Sequence, residues 1–207
     1  MLISDQHRFL FVHVQKTGGS TIDNNLSASL GDVRRIKEAH RHAPLGRLLQ
    51  LEPGLADYWT AGFVRNPWAR MLSWWRMVER FRDGADRGVE RYLDHLQRNR
   101  FVAGIIDKHP DFESFVLHAT EEHPRLRKPQ VEFMNADGRS ADFVGRQETL
   151  EDDLHAIYDH LGLEWVELQS VNIDPGRPDY RDVYTPVTRD RIAELFAADL
   201  AAYGYEF

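Results

Sequence analysis

The 207-residue sequence contains no cysteine. This absence excludes disulfide bridges, thiolate metal sites and a cysteine nucleophile. The first residues, MLISDQHRF, carry charged groups and lack the apolar run of a signal peptide. Together with the missing cysteines, which fit a reducing compartment, this stretch leads us to expect a cytoplasmic protein.

Long apolar runs and an excess of positive charge are also lacking. No stretch approaches the roughly 20 apolar residues of a membrane-spanning helix, so we expect no span. Lys and Arg number 26 against 33 Asp and Glu, giving a net charge of −7. This balance argues against a broad nucleic-acid-binding surface, which is normally basic. A few basic groups and backbone N–H donors can still hold a small anion.

The composition is that of a folded protein with a sizeable core. Hydrophobic residues make up 42% of the chain and aromatic residues 11%, which is typical of globular domains. We find no break in composition, no repeat and no low-complexity tract. We therefore expect a single domain spanning residues 1–207.

Three apolar, β-rich runs each precede a turn and a helical pattern. They occupy residues 9–14, 58–64 and the stretch that begins with Phe143 and Val144. The first helix is predicted through Ile22, Leu26 and Leu30, capped by Ser20 or Thr21. The alternation predicts an α/β fold, in which a parallel central sheet is flanked by helices.

Later helices have their own signals. Pro67 is expected in the first turn of the second helix, whose apolar face carries Met71, Trp74, Trp75 and Val78. Thr149 and Asp152 resemble a capping box for the third. An amphipathic helix is predicted over residues 188–203, preceded by a loop or lid at 172–186 that is rich in Pro, Gly and Asp.

The stretch QKTGGST, residues 15–21, has the features of a phosphate site. A helix N-terminus presents backbone N–H donors to an anion, and glycines allow close approach. Lys16 adds a positive charge, and Ser20 and Thr21 add hydroxyl donors. The lysine precedes the glycines, unlike the usual nucleotide loop. The alternative interpretation is a tight strand–helix turn with a solvated lysine.

A second candidate anion element is VRNPWARMLSWW, residues 64–75. Arg65 ends a predicted strand, where ligands gather in open α/β sheets. Ser73 follows two helical turns later. An arginine with a hydroxyl suits a dianionic phosphate. The alternative is that Arg65 pairs with a carboxylate and that Ser73 is ordinary helix surface.

Together the two elements resemble the cofactor signatures of sulfotransferases that use 3′-phosphoadenosine 5′-phosphosulfate (PAPS). The sequence is most similar to the carbohydrate-type branch, the sulfotransferase family 2-like group, in its bacterial-type soluble form. The resemblance continues through RHAPL, DFVGRQETLEDDL and YRDVYTPVTRDRIAELFAADLAAYGYEF, and so covers nearly the whole chain. It implies a P-loop-NTPase-like sulfotransferase fold.

The resemblance also implies roles for residues. PAPS would be the cofactor and 3′-phosphoadenosine 5′-phosphate (PAP) its product, with no metal required. Lys16 would stabilise the leaving charge, and the acceptor would be a hydroxyl, or an amine, with carbohydrate as one candidate. The 5′-phosphosulfate would be held by Lys16, Thr17, Gly18, Gly19, Ser20 and Thr21. The 3′-phosphate would be held by Arg65 and Ser73, with Arg177 as a third candidate.

In-line transfer needs a base, and a histidine is the natural one near neutral pH. The stretch EAHRHAPLGRLL offers two. His42 matches the family best, because it directly precedes the Ala-Pro-Leu that begins a helix, and His40 is the alternative. Glu148 is a third candidate. His13, on the first predicted strand, is expected to be structural.

Other functions remain open on the sequence alone. A nucleoside-triphosphate kinase would need the lysine after the glycines and an acidic magnesium ligand, and here Arg65 stands where that ligand would be. A non-catalytic PAP- or nucleotide-binding protein on the same fold would lack only the base. A structural protein with a fortuitous glycine loop is the remaining alternative, since fold does not imply function.

Overall fold

The computed structural model describes residues 1–136, 138–168 and 178–207. In this part of the chain seven β-strands are present. They are β1 (Leu2–Ser4), β2 (Phe9–Val12), β3 (Val33–Arg34), β4 (Trp59–Val64), β5 (Asn135–Ala136), β6 (Arg139–Ser140) and β7 (Phe143–Arg146).

The described residues also form α-helices. They are α1 (Gly19–Ser29), α2 (Leu45–Leu51), α3 (Pro67–Asp86), α4 (Glu90–Arg98), α5 (Arg100–Lys108), α6 (Phe112–Ser114), α7 (Thr120–Glu122), α8 (Pro124–Arg127), α9 (Val131–Met134), α10 (Leu150–Leu161), α11 (Pro186–Leu195) and α12 (Ala197–Tyr203). A π-helical turn, Phe115–Ala119, joins α6 to α7.

The central sheet has five strands in the order β3-β1-β2-β4-β7. Strands β2, β4 and β7 are parallel, and their register pairs Val12 with Gly62 and Val64 with Arg146. The predicted α/β fold with a parallel central sheet is thus confirmed. Strands β1 and β3 pair antiparallel at one edge. They were not predicted, because segments this short carry no readable alternation.

The chain divides into two compact units. The first comprises Met1–Asn66 and the segment that begins at Gln130, and the second comprises Pro67–Pro129 and Pro178–Phe207. Every strand named above lies in the first unit. The expectation of a single domain over residues 1–207 stays a prediction.

In the first unit, α1 and α10 pack on the sheet. The predicted buried stripe of α1 is confirmed, since Ile22, Leu26 and Leu30 are all excluded from solvent. They join a cluster with strand residues such as Phe11 and Phe63. Burying each of these side chains contributes roughly 1.5–3 kcal/mol, so the position of α1 on the sheet is strongly fixed.

The second unit is helical and is organised around α3. This helix begins at Pro67, as predicted, and its face of Met71, Trp74, Trp75 and Val78 is buried. The same face packs against side chains of α5 and α11. Among the described residues, no helix is both long and apolar enough to cross a bilayer.

The prediction of one helix over residues 188–203 is wrong, because α11 ends at Leu195 and α12 begins at Ala197. Phe196, between them, leaves the helical conformation and is fully buried. The Arg70 guanidinium lies 5.6 Å from the centre of its ring. The buried Phe196 ring, next to Arg70, thus lies where the helix is interrupted.

The predicted capping box of α10 is also wrong. Thr149 makes no capping hydrogen bond. Its hydroxyl instead donates to the carboxylate of Asp153 at 2.7 Å, and the same carboxylate accepts the N–H of Arg146 at 2.7 Å. A charged acceptor within the first turn has taken the place of the cap that Asp152 was expected to complete.

Gln130 fixes the end of β4. Its side-chain oxygen accepts the N–H of Arg65 at 2.9 Å, and its side-chain nitrogen donates to the carbonyl of Arg65 at 2.8 Å. Gln130 is fully buried. Both backbone groups of Arg65 are thereby satisfied at the point where the chain leaves the sheet.

We expect Gln130→Leu to lower the free energy of unfolding by roughly 2–4 kcal/mol, because it leaves two buried backbone groups without these partners. Urea unfolding followed by circular dichroism would measure the change. Gln97→Leu, at an exposed position of α4, is the matched control and should stay within about 0.5 kcal/mol of the wild type. Equal effects of the two substitutions would contradict this role.

Candidate active site

Three loops leave the sheet at the carboxyl ends of its parallel strands. They carry Lys16 after β2, Arg65 after β4 and Glu148 after β7. The Arg65 guanidinium donates to the carbonyl of Lys16 at 3.4 Å. The N–H of Asn66 donates to the Glu148 carboxylate at 2.7 Å. The parallel register therefore gathers these loops at one edge, where ligands of open α/β sheets bind.

The loop at residues 15–21, called the anion loop below, has an unusual backbone. Lys16 and Gly18 adopt positive φ angles of 70° and 80°. For Lys16 this conformation costs on the order of 1 kcal/mol. The Thr17 hydroxyl donates to the Val14 carbonyl at 3.1 Å and closes the turn. Two positive-φ residues separated by one other residue are typical of backbone turns whose N–H groups can bind an anion.

Helix α1 starts inside this loop without a side-chain cap. Gly18 is the capping residue, so the prediction that Ser20 or Thr21 caps the helix is wrong. The N–H groups of Thr21 and Ile22 donate to the Gly18 carbonyl. Within the described chain, the N–H groups of Gly19 and Ser20 have no backbone acceptor. These two donors lie at the positive end of the helix dipole.

Both glycines are required by the packing of the chain itself. A Cβ atom on Gly18 would lie 2.4 Å from Leu150, and one on Gly19 would lie 2.3 Å from the His13 ring. Real Cβ atoms essentially never approach so closely. The positive φ of Gly18 and the close approach of the His13 ring at Gly19 therefore account for the glycine pair.

His13 follows β2 directly and is buried. The Arg41 guanidinium donates through Nε to Nδ1 of His13 at 3.1 Å. Nδ1 is therefore an acceptor, and the proton of the neutral ring is on Nε2. Burial, aided by the charge of Arg41, lowers the pKa of His13. The ring is neutral near pH 7.

A buried carboxylate holds Arg41 in place. Asp23, on α1, accepts hydrogen bonds from Arg41 at 3.0 Å and from Arg35 at 2.6 Å. Burial alone would raise the pKa of Asp23, but the positive charges of Arg35 and Arg41 keep it below its usual range. Nδ1 of His13 lies 3.8 Å from Oδ2 of Asp23, too far for a hydrogen bond. Asp23 is therefore ionised at neutral pH.

His42 is fixed by the backbone of His13. Its Nδ1 lies 2.9 Å from the His13 carbonyl. A carbonyl can only accept, so Nδ1 carries the proton and Nε2 carries the lone pair. Burial, with the adjacent His13 ring, lowers the pKa of His42 to about 3. The side chain therefore presents an unprotonated Nε2 near neutral pH.

His40 is arranged differently. Its Nδ1 accepts the backbone N–H of His42 at 3.2 Å. In the neutral ring the proton is then on Nε2, and the lone pair of Nδ1 already accepts the His42 N–H. The geometry therefore distinguishes the two histidines, since His42 offers a free acceptor nitrogen and His40 does not.

The remaining predicted site residues lie in several places. Glu148 supports the backbone after β4 through Asn66, as given above. Ser73 is half-buried on α3, in the second unit. Arg177 lies outside the described residues. Among those described, no group of three or more His, Asp or Glu side chains is arranged to hold a metal ion.

A cavity of about 190 Å³ adjoins the anion loop. It begins at Thr21 and continues along α1 and the segment after α10. Asn25, in its wall, donates to the Val166 carbonyl at 2.9 Å. The other lining residues are Asn24, Ala28, Glu167 and Leu168. The wall thus offers both amide groups and apolar surface.

Sequence reasoning did not identify the group formed by His13, Asp23 and Arg41. His13 was expected to be structural, and the other two were not considered. One signal was available, because Asp23 is an acidic residue directly beside the buried position Ile22 on α1. Arg41 also stands between the two candidate histidines. Their mutual contacts join residues 28 and 18 positions apart, which no local pattern reveals.

Comparisons with known proteins agree on one family. The sequence model of the sulfotransferase family matches residues 1–206. Carbohydrate sulfotransferase 14 of Danio rerio is 29% identical over 93% of the chain and 54% of that protein. The human protein of the same name is 30% identical over 80% of the chain and 46% of its own length. The chain thus spans about half the length of these relatives.

We expect the His42 ring to stay neutral down to about pH 4, because its pKa is lowered to about 3. Long-range ¹H–¹⁵N NMR of the folded protein would show a proton on Nδ1 and none on Nε2. The urea-unfolded chain is the reference and should titrate near 6.5. A folded-state midpoint near 6.5, or a proton on Nε2 at pH 7, would contradict the geometry.

Proposed function

The chain belongs to the sulfotransferase family, and we propose that it transfers the sulfuryl group of PAPS to a hydroxyl of a carbohydrate acceptor. One observation carries the catalytic part of this proposal. The hydrogen bond from Nδ1 of His42 to the His13 carbonyl leaves Nε2 with its lone pair, and His13 itself directly follows β2, in the segment that leads to Lys16 of the anion loop. Membership of the family confirms the resemblance predicted from the sequence.

The residues present fit the donor. PAPS carries anionic groups at two separate ends and a planar base, and it supplies an activated sulfuryl group when bound. The N–H groups of Gly19 and Ser20, with Lys16, would hold its 5′ end. Arg65, whose guanidinium reaches the Lys16 carbonyl, would hold the 3′-phosphate, and the role of Ser73 stays a prediction. The cavity that begins at Thr21 would receive the adenine ring of PAPS.

The anion loop would stabilise the negative charge that develops during transfer. Negative charge grows on the leaving phosphate oxygen as the sulfuryl group departs. The Lys16 ammonium and the fixed N–H dipoles of Gly19 and Ser20 would stabilise this charge without reorganisation. The positive φ of Lys16 belongs to the same turn that ends in these N–H groups.

Proton removal falls to His42. Its Nε2 would accept the proton of the acceptor hydroxyl while Nδ1 keeps its bond to the His13 carbonyl. A pKa of about 3 makes the ring a weak base. An anion in the adjacent loop favours the charged imidazolium and so raises this pKa. We therefore propose that His42 becomes an effective base when the donor is bound.

The acceptor class rests on the relatives. Those described above are named carbohydrate sulfotransferases, so we propose a carbohydrate hydroxyl as the acceptor. The absence of a metal requirement, the closing of Arg177 over the 3′-phosphate and a cytoplasmic location stay predictions.

We expect PAP to bind with micromolar affinity in isothermal titration calorimetry in the presence of EDTA. Arg65→Ala should weaken binding about 10- to 100-fold, because a charge-assisted contact is lost. Arg8→Gln is the matched control. Arg8 directly precedes β2 and forms an exposed salt bridge with Asp57. Preference for magnesium-ATP over PAP would instead support the kinase alternative.

We expect His42→Ala to lower kcat about 10²- to 10⁴-fold, the usual worth of a positioned base, with little change in PAP affinity. Sulfuryl transfer from labelled PAPS to a carbohydrate mixture would measure it. His7→Ala, whose ring bonds only to Ser4 near the other end of β2, is the control and should retain full activity. Near-full activity of His42→Ala would move the assignment to His40 or Glu148. A wild type that binds PAP but transfers nothing would support the non-catalytic alternative.

A further inference from the structure

We propose that Asp23 is a positioning residue, which acts through Arg41 and His13 to fix the tautomer and location of His42. This inference rests on the proposed function of His42 as the base. Asp23 lies on α1, two residues after the end of the anion loop. It does not line the cavity beside the loop, and its side chain is 3% exposed. We therefore assign it a supporting role rather than a contact with substrate.

The first step is the pairing of the buried carboxylate. Its oxygen Oδ1 accepts from Arg35 at 2.6 Å and from the Ser27 hydroxyl at 3.3 Å, and Oδ2 accepts from Arg41 at 3.0 Å. The arginines are about half exposed while the carboxylate is buried. A buried charge is strongly unfavourable without such partners. Asp23 therefore draws the 35–41 segment onto α1.

The second step runs from Arg41 to His13. The same guanidinium that reaches Asp23 through one terminal nitrogen donates through Nε to Nδ1 of His13 at 3.1 Å. A planar guanidinium held at two points has a fixed orientation. It leaves His13 a single neutral tautomer, and the ring lies against Gly19, where even a Cβ atom would collide with it.

The third step runs from His13 to His42. The His13 carbonyl accepts from Nδ1 of His42 at 2.9 Å. The two rings meet edge to face, with centroids 4.5 Å apart. His42 is also the next residue after Arg41 in the chain. Asp23, on α1, thus positions His42 relative to the anion loop, from which the same helix begins.

Asp23→Asn tests this inference, because the amide keeps the shape of the side chain but can accept through one atom only. We expect kcat to fall about 10- to 100-fold, as for other supporting groups of an active site, with PAP affinity changed less than about threefold. Asp142→Asn is the matched control. Asp142 also bonds to a backbone N–H and an arginine, those of Thr60 and Arg139, at the amino ends of β4 and β7. It should retain wild-type kcat.

A double-mutant cycle separates positioning from general stability. If Asp23 acts through His42, Asp23→Asn should lower kcat no further in a His42→Ala background. An equal loss in both backgrounds would overturn the proposal. Should Asp23→Asn fail to fold, Arg41→Lys replaces it, since a lysine cannot contact both Asp23 and His13. The same non-additivity with His42→Ala is expected.

The ¹⁵N signals of the His42 ring give a readout that needs no activity. In Asp23→Asn, or in Arg41→Lys, we expect the single Nδ1–H form to become a mixture with Nε2–H, whereas Asp142→Asn keeps the wild-type pattern. An unchanged pattern in both would overturn the positioning role. A wild type that shows the Nδ1–H form but neither binds PAP nor transfers sulfuryl groups would refute the proposed function and leave the positioning network standing.

Discussion

The position of His13 at the end of β2 is the constraint on which the candidate site depends. Its ring fills the space that a side chain on Gly19 would need, its Nδ1 accepts from Arg41, and its carbonyl fixes His42. One buried residue therefore shapes the start of α1 and orients His42. Strand β2, which leads to His13, is central in the sheet and is hydrogen-bonded to β1 on one side and β4 on the other.

Nearby charges and burial determine the positive charge of the candidate site and the protonation states of its histidines. The helix start, Lys16 and Arg65 create a positive region in a chain of net charge −7, which suits a small anionic ligand rather than a nucleic acid. The same surroundings favour neutral histidines. His42 is therefore unprotonated at neutral pH, and we propose that an incoming anion would strengthen it as a base.

The parts of this structure that follow local rules could be predicted from the sequence. The stripe of Ile22, Leu26 and Leu30 identified α1, and the glycines located its start. Local rules failed where a competing partner was present, as when Asp153 took the hydroxyl of Thr149. They could not reveal Gln130 on Arg65, or Asp23 and Arg41 around His13, since these contacts join distant parts of the chain. The supporting network of the site is thus the portion that required three-dimensional coordinates.

A crystal structure of the chain with PAP would show how the cofactor and His42 are placed. We expect the 5′-phosphate on the N–H groups of Gly19 and Ser20, with Nδ1 of His42 still on the His13 carbonyl and Nε2 facing the position of the transferred group. A 5′-phosphate bound away from the anion loop, or a His42 Nε2 hydrogen-bonded to a protein acceptor, would contradict this expectation.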